Sequence, residues 1–232
     1  MLAQDRSFWL RLFIVVAVID IVHVTLSDVP AYGYKPLLML SLGAYAWQQT
    51  RARQTPQTRA LLFGLAFAWL GDVLLLFSGP GLFELGLGAF LVMQLLYSRA
   101  FLLDARRPSS RTWVLIGVVL AGIGALMARL FPLVPDALRL PVLLYMTAIT
   151  AMTLTALCRR EAVPPARFWP VFAGACLFVC SDYLLALERF GTPNAVVRFF
   201  VMPTYLLAQY LIVSGMLQPV AQSSGPPATQ PA

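Results

Sequence analysis

The sequence predicts an all-α, polytopic integral membrane protein with eight transmembrane helices and both termini in the cytoplasm. Three observations carry that prediction. Of 232 residues, 59% are apolar and 12% are charged, against about 25% charged in ordinary soluble domains. So much apolar surface does not fit inside one soluble core of this size. Apolar runs near the ~20 residues that cross a bilayer recur eight times. The basic residues between those runs fall mainly on alternate sides.

The runs cover about 8–26, 33–48, 59–78, 82–103, 112–130, 138–157, 168–188 and 195–216. The second is the shortest. The first, from Phe8 onward, has no small-residue cleavage site and reads as a span rather than a signal peptide. The breaks SDVPAYGY, QTRARQTPQTR, SGPG, DARRPSSR, FPLVPDALRLP, RREAVPPAR and RFGTPN carry loop punctuation. The tail QPVAQSSGPPATQPA is low in complexity. The expected organisation is one transmembrane domain over 1–217 and a disordered tail over 218–232.

With the N-terminus in the cytoplasm, twelve basic residues lie on that side: Arg6, Arg11, Arg51, Arg53, Arg59, Arg99, Arg106, Arg107, Arg111, Arg159, Arg160 and Arg167. Five lie opposite: Lys35, Arg129, Arg139, Arg189 and Arg198. This split fits eight spans and, most simply, a cell inner membrane. The net charge of +7 does not indicate nucleic acid, because the cations sit between apolar runs, where anionic lipid explains them. Composition leaves the oligomeric state open.

The cysteines Cys158, Cys176 and Cys180 form no disulfide framework and read as buried small apolar residues. His23 is the one histidine, which excludes a zinc site of several His and reads as an interfacial residue.

Two acids interrupt the apolar runs. Asp72 in GDVLLLF and Asp182 in SDYLLAL share the pattern small–Asp–x–Leu–Leu on spans three and seven, which run in the same direction. They follow Arg59 and Arg167 by thirteen and fifteen residues. At ~1.5 Å per residue both lie roughly 20 Å from the inner edge. Lys35 opens span two, and Arg198 begins span eight, on that outer side. An ionisable residue at mid-helix costs about 2.5–3.5 kcal/mol on insertion scales and by default marks function. The bland alternative is that each Asp pairs with Lys35 or an Arg and ties helices together. Asp20 falls at a similar depth and reads as reaching the outer interface beside His23. Glu84 reads as solvated. Gln94, Tyr97, Tyr145, Tyr205 and Gln209 lie deeper. Each alone is explained by one interhelical hydrogen bond, but together they line a polar cavity facing the two acids.

KPLLML, GDVLLLF, GAFLVMQLLYSRAF, SDYLLALERF and VRFFVMPTYLLAQYLIV, in this order from Lys35 to Gly215, resemble the YhhN-like lysoplasmalogenases. The resemblance implies an eight-span enzyme that hydrolyses the vinyl ether bond of lysoplasmalogens to a fatty aldehyde and a glycerophospho-choline or -ethanolamine. The matching positions are Lys35, Asp72, Tyr97, Asp182, Tyr205 and Gln209, with Tyr145 and Arg198 as looser matches. This chain departs from many members in having Gln94 in place of a His just before Leu-Leu-Tyr. Gln hydrogen-bonds a substrate oxygen but transfers no proton.

Vinyl ether hydrolysis needs an acid to protonate the outer alkene carbon, a base for water, and negative charge beside the oxocarbenium ion. A carboxylate pair in an apolar site meets all three when one holds a proton and the other does not. Asp182 is the expected acid and Asp72 the expected base or ion stabiliser, with Lys35 or Arg198 on the lipid phosphate. No metal or organic cofactor is required. The competing readings are a transporter with helices broken at Gly71 or Ser181, a hydrolase of another lyso-lipid, and a structural or signalling membrane protein.

Overall fold

The computed structural model describes residues 7–26, 33–77, 79, 81–192 and 194–218. Among them are eight α-helices and no strand. They are α1 (Phe8–Leu26), α2 (Pro36–Thr50), α3 (Pro56–Leu76), α4 (Leu82–Leu102), α5 (Ser110–Leu130), α6 (Asp136–Leu157), α7 (Pro165–Phe190) and α8 (Ala195–Leu217). Residues 219–232, which hold most of the expected tail, lie outside the described residues. The helices α3 to α8 are long and apolar enough to cross a membrane. At 15 residues, α2 rises about 22 Å, short of the ~30 Å hydrocarbon core.

Local chemistry sets the helix starts. Pro56 occupies the first turn of α3, where its missing N–H costs nothing. Thr55 and Thr58 cap each other reciprocally there, so α3 begins three residues before the apolar run. Ser109 accepts from the Thr112 N–H at the start of α5. Asn194 accepts from the Val196 and Val197 N–H groups at the start of α8.

Seven helices form a closed ring. Each of the pairs α1–α2, α2–α3, α3–α4, α4–α6, α6–α7, α7–α8 and α8–α1 is in contact. The fifth helix stays outside, against α6 and α7. It buries a single stripe, Thr112, Ile116, Ile123 and Leu130, and leaves Trp113, Val114 and Val118 exposed. Two antiparallel pairs pack closest, and glycine permits both approaches. A Cβ at Gly174 of α7 would lie 2.8 Å from the Ala208 carbonyl of α8. A Cβ at Gly71 of α3 would lie 2.7 Å from the Phe90 ring of α4.

Two expectations are corrected here. Cys180 is exposed, and Cys158 and Cys176 are half-buried. The face of α7 carrying Gly174, Ala175, Phe178 and Ser181 is the one buried, leaving Cys180 on another. Arg159 and Arg167 are not free interfacial cations. Arg159 is fully buried, and its Nε and Nη2 donate to both oxygens of Asp104 at 2.6 and 3.1 Å. Arg167 approaches the same carboxylate at 3.5 Å. This cluster ties the end of α4 to the α6–α7 turn, supported by a backbone bond from Arg106 N–H to the Cys158 carbonyl.

Candidate functional site

The alternating helix directions bring the ends of α1, α3 and α7 and the starts of α2, α4 and α8 to one end of the ring. Asp20, Lys35, Asp72, Asp182 and Glu188 all sit toward that end. Both α3 and α7 continue unbroken through Gly71–Asp72 and Ser181–Asp182. The Ser181 hydroxyl donates to the Val201 carbonyl of α8 at 3.1 Å, so its role is to fasten α7 to α8.

Side chains reach across the ring interior in two separate networks. In the first, the Tyr205 hydroxyl of α8 donates to Asp72 Oδ2 of α3 at 2.9 Å. Gln209 Nε2, one turn further on, lies 3.5 Å from the Tyr205 oxygen and 3.4 Å from Met93 Sδ. Its Oε1 accepts from the Tyr97 hydroxyl of α4 at 2.7 Å. From Tyr97 to Asp72 each donor points toward the carboxylate. All four residues are buried. The rings of Phe90 and Phe178 stand edge-on to Tyr205 at 6.0 and 5.6 Å.

The second network centres on Asp182 of α7. Its Oδ2 accepts from the Tyr145 hydroxyl of α6 at 2.5 Å and more weakly from Gln94 Nε2 of α4 at 3.5 Å. Its Oδ1 accepts no hydrogen bond among the described residues. Asp182 and Tyr145 are the polar members of an otherwise apolar pocket, walled by Leu75, Phe83, Phe90, Val142, Met146 and Phe190 among others. The pocket holds about 40 Å³ of open space, so flexible side chains keep it nearly shut. Gln94 is fully buried, and its Oε1 has no donor among the described residues.

Of the residues expected from the sequence, Asp72, Tyr97, Tyr205 and Gln209 meet in one network and Gln94, Tyr145 and Asp182 in the other. The two carboxylates share no hydrogen-bond partner among the described residues. Lys35 is half-buried at the start of α2, within electrostatic reach of Asp72, Asp20 and Glu188. Arg198 is exposed on the first turn of α8 and interacts electrostatically with Glu188. Glu84 is exposed, as expected.

Two acids escaped their part in this arrangement. Glu188 follows Asp182 by six residues on α7 and faces Lys35 and Arg198; the signal was the Glu-Arg pair closing SDYLLALERF opposite the Arg of VRFF. Asp20 is fully buried, with neither carboxylate oxygen bonded among the described residues.

A family model described as YhhN family matches residues 31–216. The chain belongs to the YhhN family. Among curated proteins, it is similar to lysoplasmalogenase TMEM86A of Bos taurus, 33% identical over 68% of this chain and 65% of that protein. It is also similar to lysoplasmalogenase TMEM86B of Homo sapiens, 32% identical over 82% of this chain and 76% of that one. A lysoplasmalogenase of Mycobacterium bovis is 31% identical over 80% of this chain and 69% of its own length. The chain thus spans about two thirds of the length of the bovine relative. No solved structure matches it. The YhhN match takes in every residue of both networks and leaves out α1 with Asp20.

Proposed function

We propose that this YhhN protein is a membrane-embedded lysoplasmalogenase. It hydrolyses the vinyl ether bond of a lyso-ether phospholipid by acid/base catalysis with Asp182 and Asp72. The observation that carries this reading is that Asp182, bonded through Oδ2 alone among the described residues, lines an otherwise apolar pocket. An alkenyl chain lying in that pocket, once Phe83, Phe90 and Phe190 part, sets its double bond beside a carboxyl oxygen that nothing else occupies. The relatives named lysoplasmalogenase support the same reaction.

In this reading Asp182 delivers its proton to the outer alkene carbon, and the enol ether becomes an oxocarbenium ion. Tyr145 holds Asp182 in place from Oδ2. Asp72, toward which the Tyr97–Gln209–Tyr205 chain directs its donors, is the base or ion stabiliser, reached once Phe90 parts. Water adds to the cationic carbon, and its proton passes to a carboxylate. The buried Gln94 Oε1 is the acceptor that orients this water. The hemiacetal then collapses, its hydroxyl proton passing to the glycerol oxygen, which leaves as the alcohol while the other fragment leaves as fatty aldehyde. Lys35 and Arg198 hold the phosphate. The chain is read as eight spans in an inner membrane, with both termini cytoplasmic and the site toward the outer face.

The test is aldehyde release by the purified protein in detergent from lysoplasmenylcholine and lysoplasmenylethanolamine, beside saturated 1-alkyl analogues. Aldehyde from the vinyl ethers alone supports the reading. A well-folded protein that releases none contradicts it.

A further inference from the structure

Asp20 stands out among the buried polar residues. It is 0% exposed, and both its oxygens lack a hydrogen-bond donor among the described residues. A buried carboxylate left this way is costly, because it has given up water on both oxygens and gained nothing in return. The other acids of the ring interior are provided for. Asp72 has Tyr205, and Asp182 has Tyr145 and Gln94. At the far end, Asp104 has Arg159 and Arg167.

The surroundings of Asp20 narrow what it is waiting for. Lys35 and His23 act on it electrostatically but donate no hydrogen bond to it. Tyr34 is close enough to interact with Asp20, and its hydroxyl is itself buried without a partner. Lys35 also acts on Asp72 and Glu188. The Lys35 end of the ring thus has an anion-binding group and, beside it, an acceptor pair without donors among the described residues. A zwitterion whose anionic and cationic groups are two carbons apart complements that arrangement.

We infer that Asp20 is the headgroup-selecting residue, which takes the primary ammonium of a phosphoethanolamine headgroup while Lys35 takes its phosphate. This rests on the lysoplasmalogenase reading for the identity of the lipid. A primary ammonium brings three N–H donors and satisfies both oxygens with charge-assisted bonds. A trimethylammonium brings none, so a choline headgroup leaves Asp20 buried and unbonded. Selection then comes from the charge-assisted bonds that only the primary ammonium supplies. Asp20 lies before residue 31, where the family match starts, so α1 adds a specificity element to a site the matched segment otherwise contains.

The experiment measures binding rather than turnover, so that it does not depend on hydrolysis. Affinities of the full-length protein in detergent are determined for two saturated, uncleavable ether lipids, 1-alkyl-lysophosphatidylethanolamine and 1-alkyl-lysophosphatidylcholine. The wild type is expected to bind the ethanolamine lipid about tenfold tighter, or 1.4 kcal/mol. Asp20→Asn removes the preference and leaves the choline affinity unchanged. Neutralising a buried unpaired charge does not endanger folding, but should that variant fail to fold, Asp20→Glu retains a preference for the primary ammonium. Lys35→Gln weakens both lipids alike. Equal affinities in the wild type, or a preference that survives Asp20→Asn, overturn the inference. Selective binding without aldehyde release from the vinyl ethers keeps the headgroup assignment and discards the hydrolytic reading.

Discussion

Asp72 and Asp182 share a sequence pattern and a helix end, yet their surroundings are nearly opposite. Asp72 is 6% exposed and sealed. Gly71 lets the Phe90 ring lie against the α3 backbone, and Tyr205 closes over the carboxylate from α8. Asp182 is half-buried, with one oxygen held by Tyr145 and Gln94 and the other unbonded among the described residues, and it lines an apolar pocket. Phe90 belongs to both settings, since it stacks edge-on to Tyr205 and lines the Asp182 pocket. The contrast teaches that an echo such as GDVLLLF and SDYLLAL fixes depth but not role. Role comes from what the neighbouring helices deliver. A hydroxyl donor, itself backed by Gln209 and Tyr97, closes over Asp72, which suits a group held in place. An apolar slot meets Asp182, which suits a group that hands a proton to carbon.

The most severe way to break this comparison is to remove the open carboxylate. Asp182→Asn should lower kcat for vinyl ether cleavage by about 10³-fold, within the 10²–10⁴ of a general acid, with substrate affinity and helicity retained. Asp72→Asn should cost less, about 10²-fold in kcat, because Asn still accepts the Tyr205 hydrogen bond but carries no charge. Equal losses, measured by steady-state aldehyde release, would erase the distinction between the two acids.

The tyrosines sharpen it. Tyr205→Phe leaves the sealed Asp72 without its bonded partner and should lower stability by about 1–3 kcal/mol, seen as a lower unfolding temperature in detergent. Tyr145→Phe should leave stability nearly unchanged, because Asp182 keeps Gln94 and an open side, and should lower kcat by about tenfold. If the two variants exchange signatures, the assignment of sealed and open sites is reversed.

A smaller effect tests the pocket alone. Ala186→Phe fills part of the slot beside Asp182. It should raise KM by about tenfold for long alkenyl chains and spare the shortest ones, which a chain-length series would reveal.

Much of this was legible in the sequence. Each of the eight helices overlaps an apolar run, because periodic burial and length speak directly in composition. The site residues were legible as polar interruptions at a common depth. What stayed hidden depends on side chains meeting across the ring. No spacing told that Tyr205 belongs to Asp72 and Tyr145 to Asp182, or that Phe90 stands between them. The closure of the ring by α1 and α8 was hidden too, and with it the burial of Asp20. The pairing of Arg159 and Arg167 with Asp104 was hidden because that partner lies more than fifty residues away in the chain.

The smallest expected effect lies far from both acids and serves as the control. Glu161, beyond the end of α6, is held below the usual Glu range by hydrogen bonds from Ser109 and Thr112. Its stabilising effect is present above the ordinary Glu value and is lost as pH falls through the lowered one. Glu161→Gln should therefore lower the unfolding temperature slightly at neutral pH and not at all at strongly acid pH, without changing kcat.

The central claim is that Asp182 protonates carbon. The direct measurement is vinyl ether hydrolysis in deuterated water by the wild type and by Asp182→Asn, with the aldehyde analysed by mass spectrometry. The account predicts one deuterium on the carbon next to the carbonyl in the wild-type product, and near-complete loss of product in the folded variant. Aldehyde without that deuterium, or full release by Asp182→Asn, would contradict it.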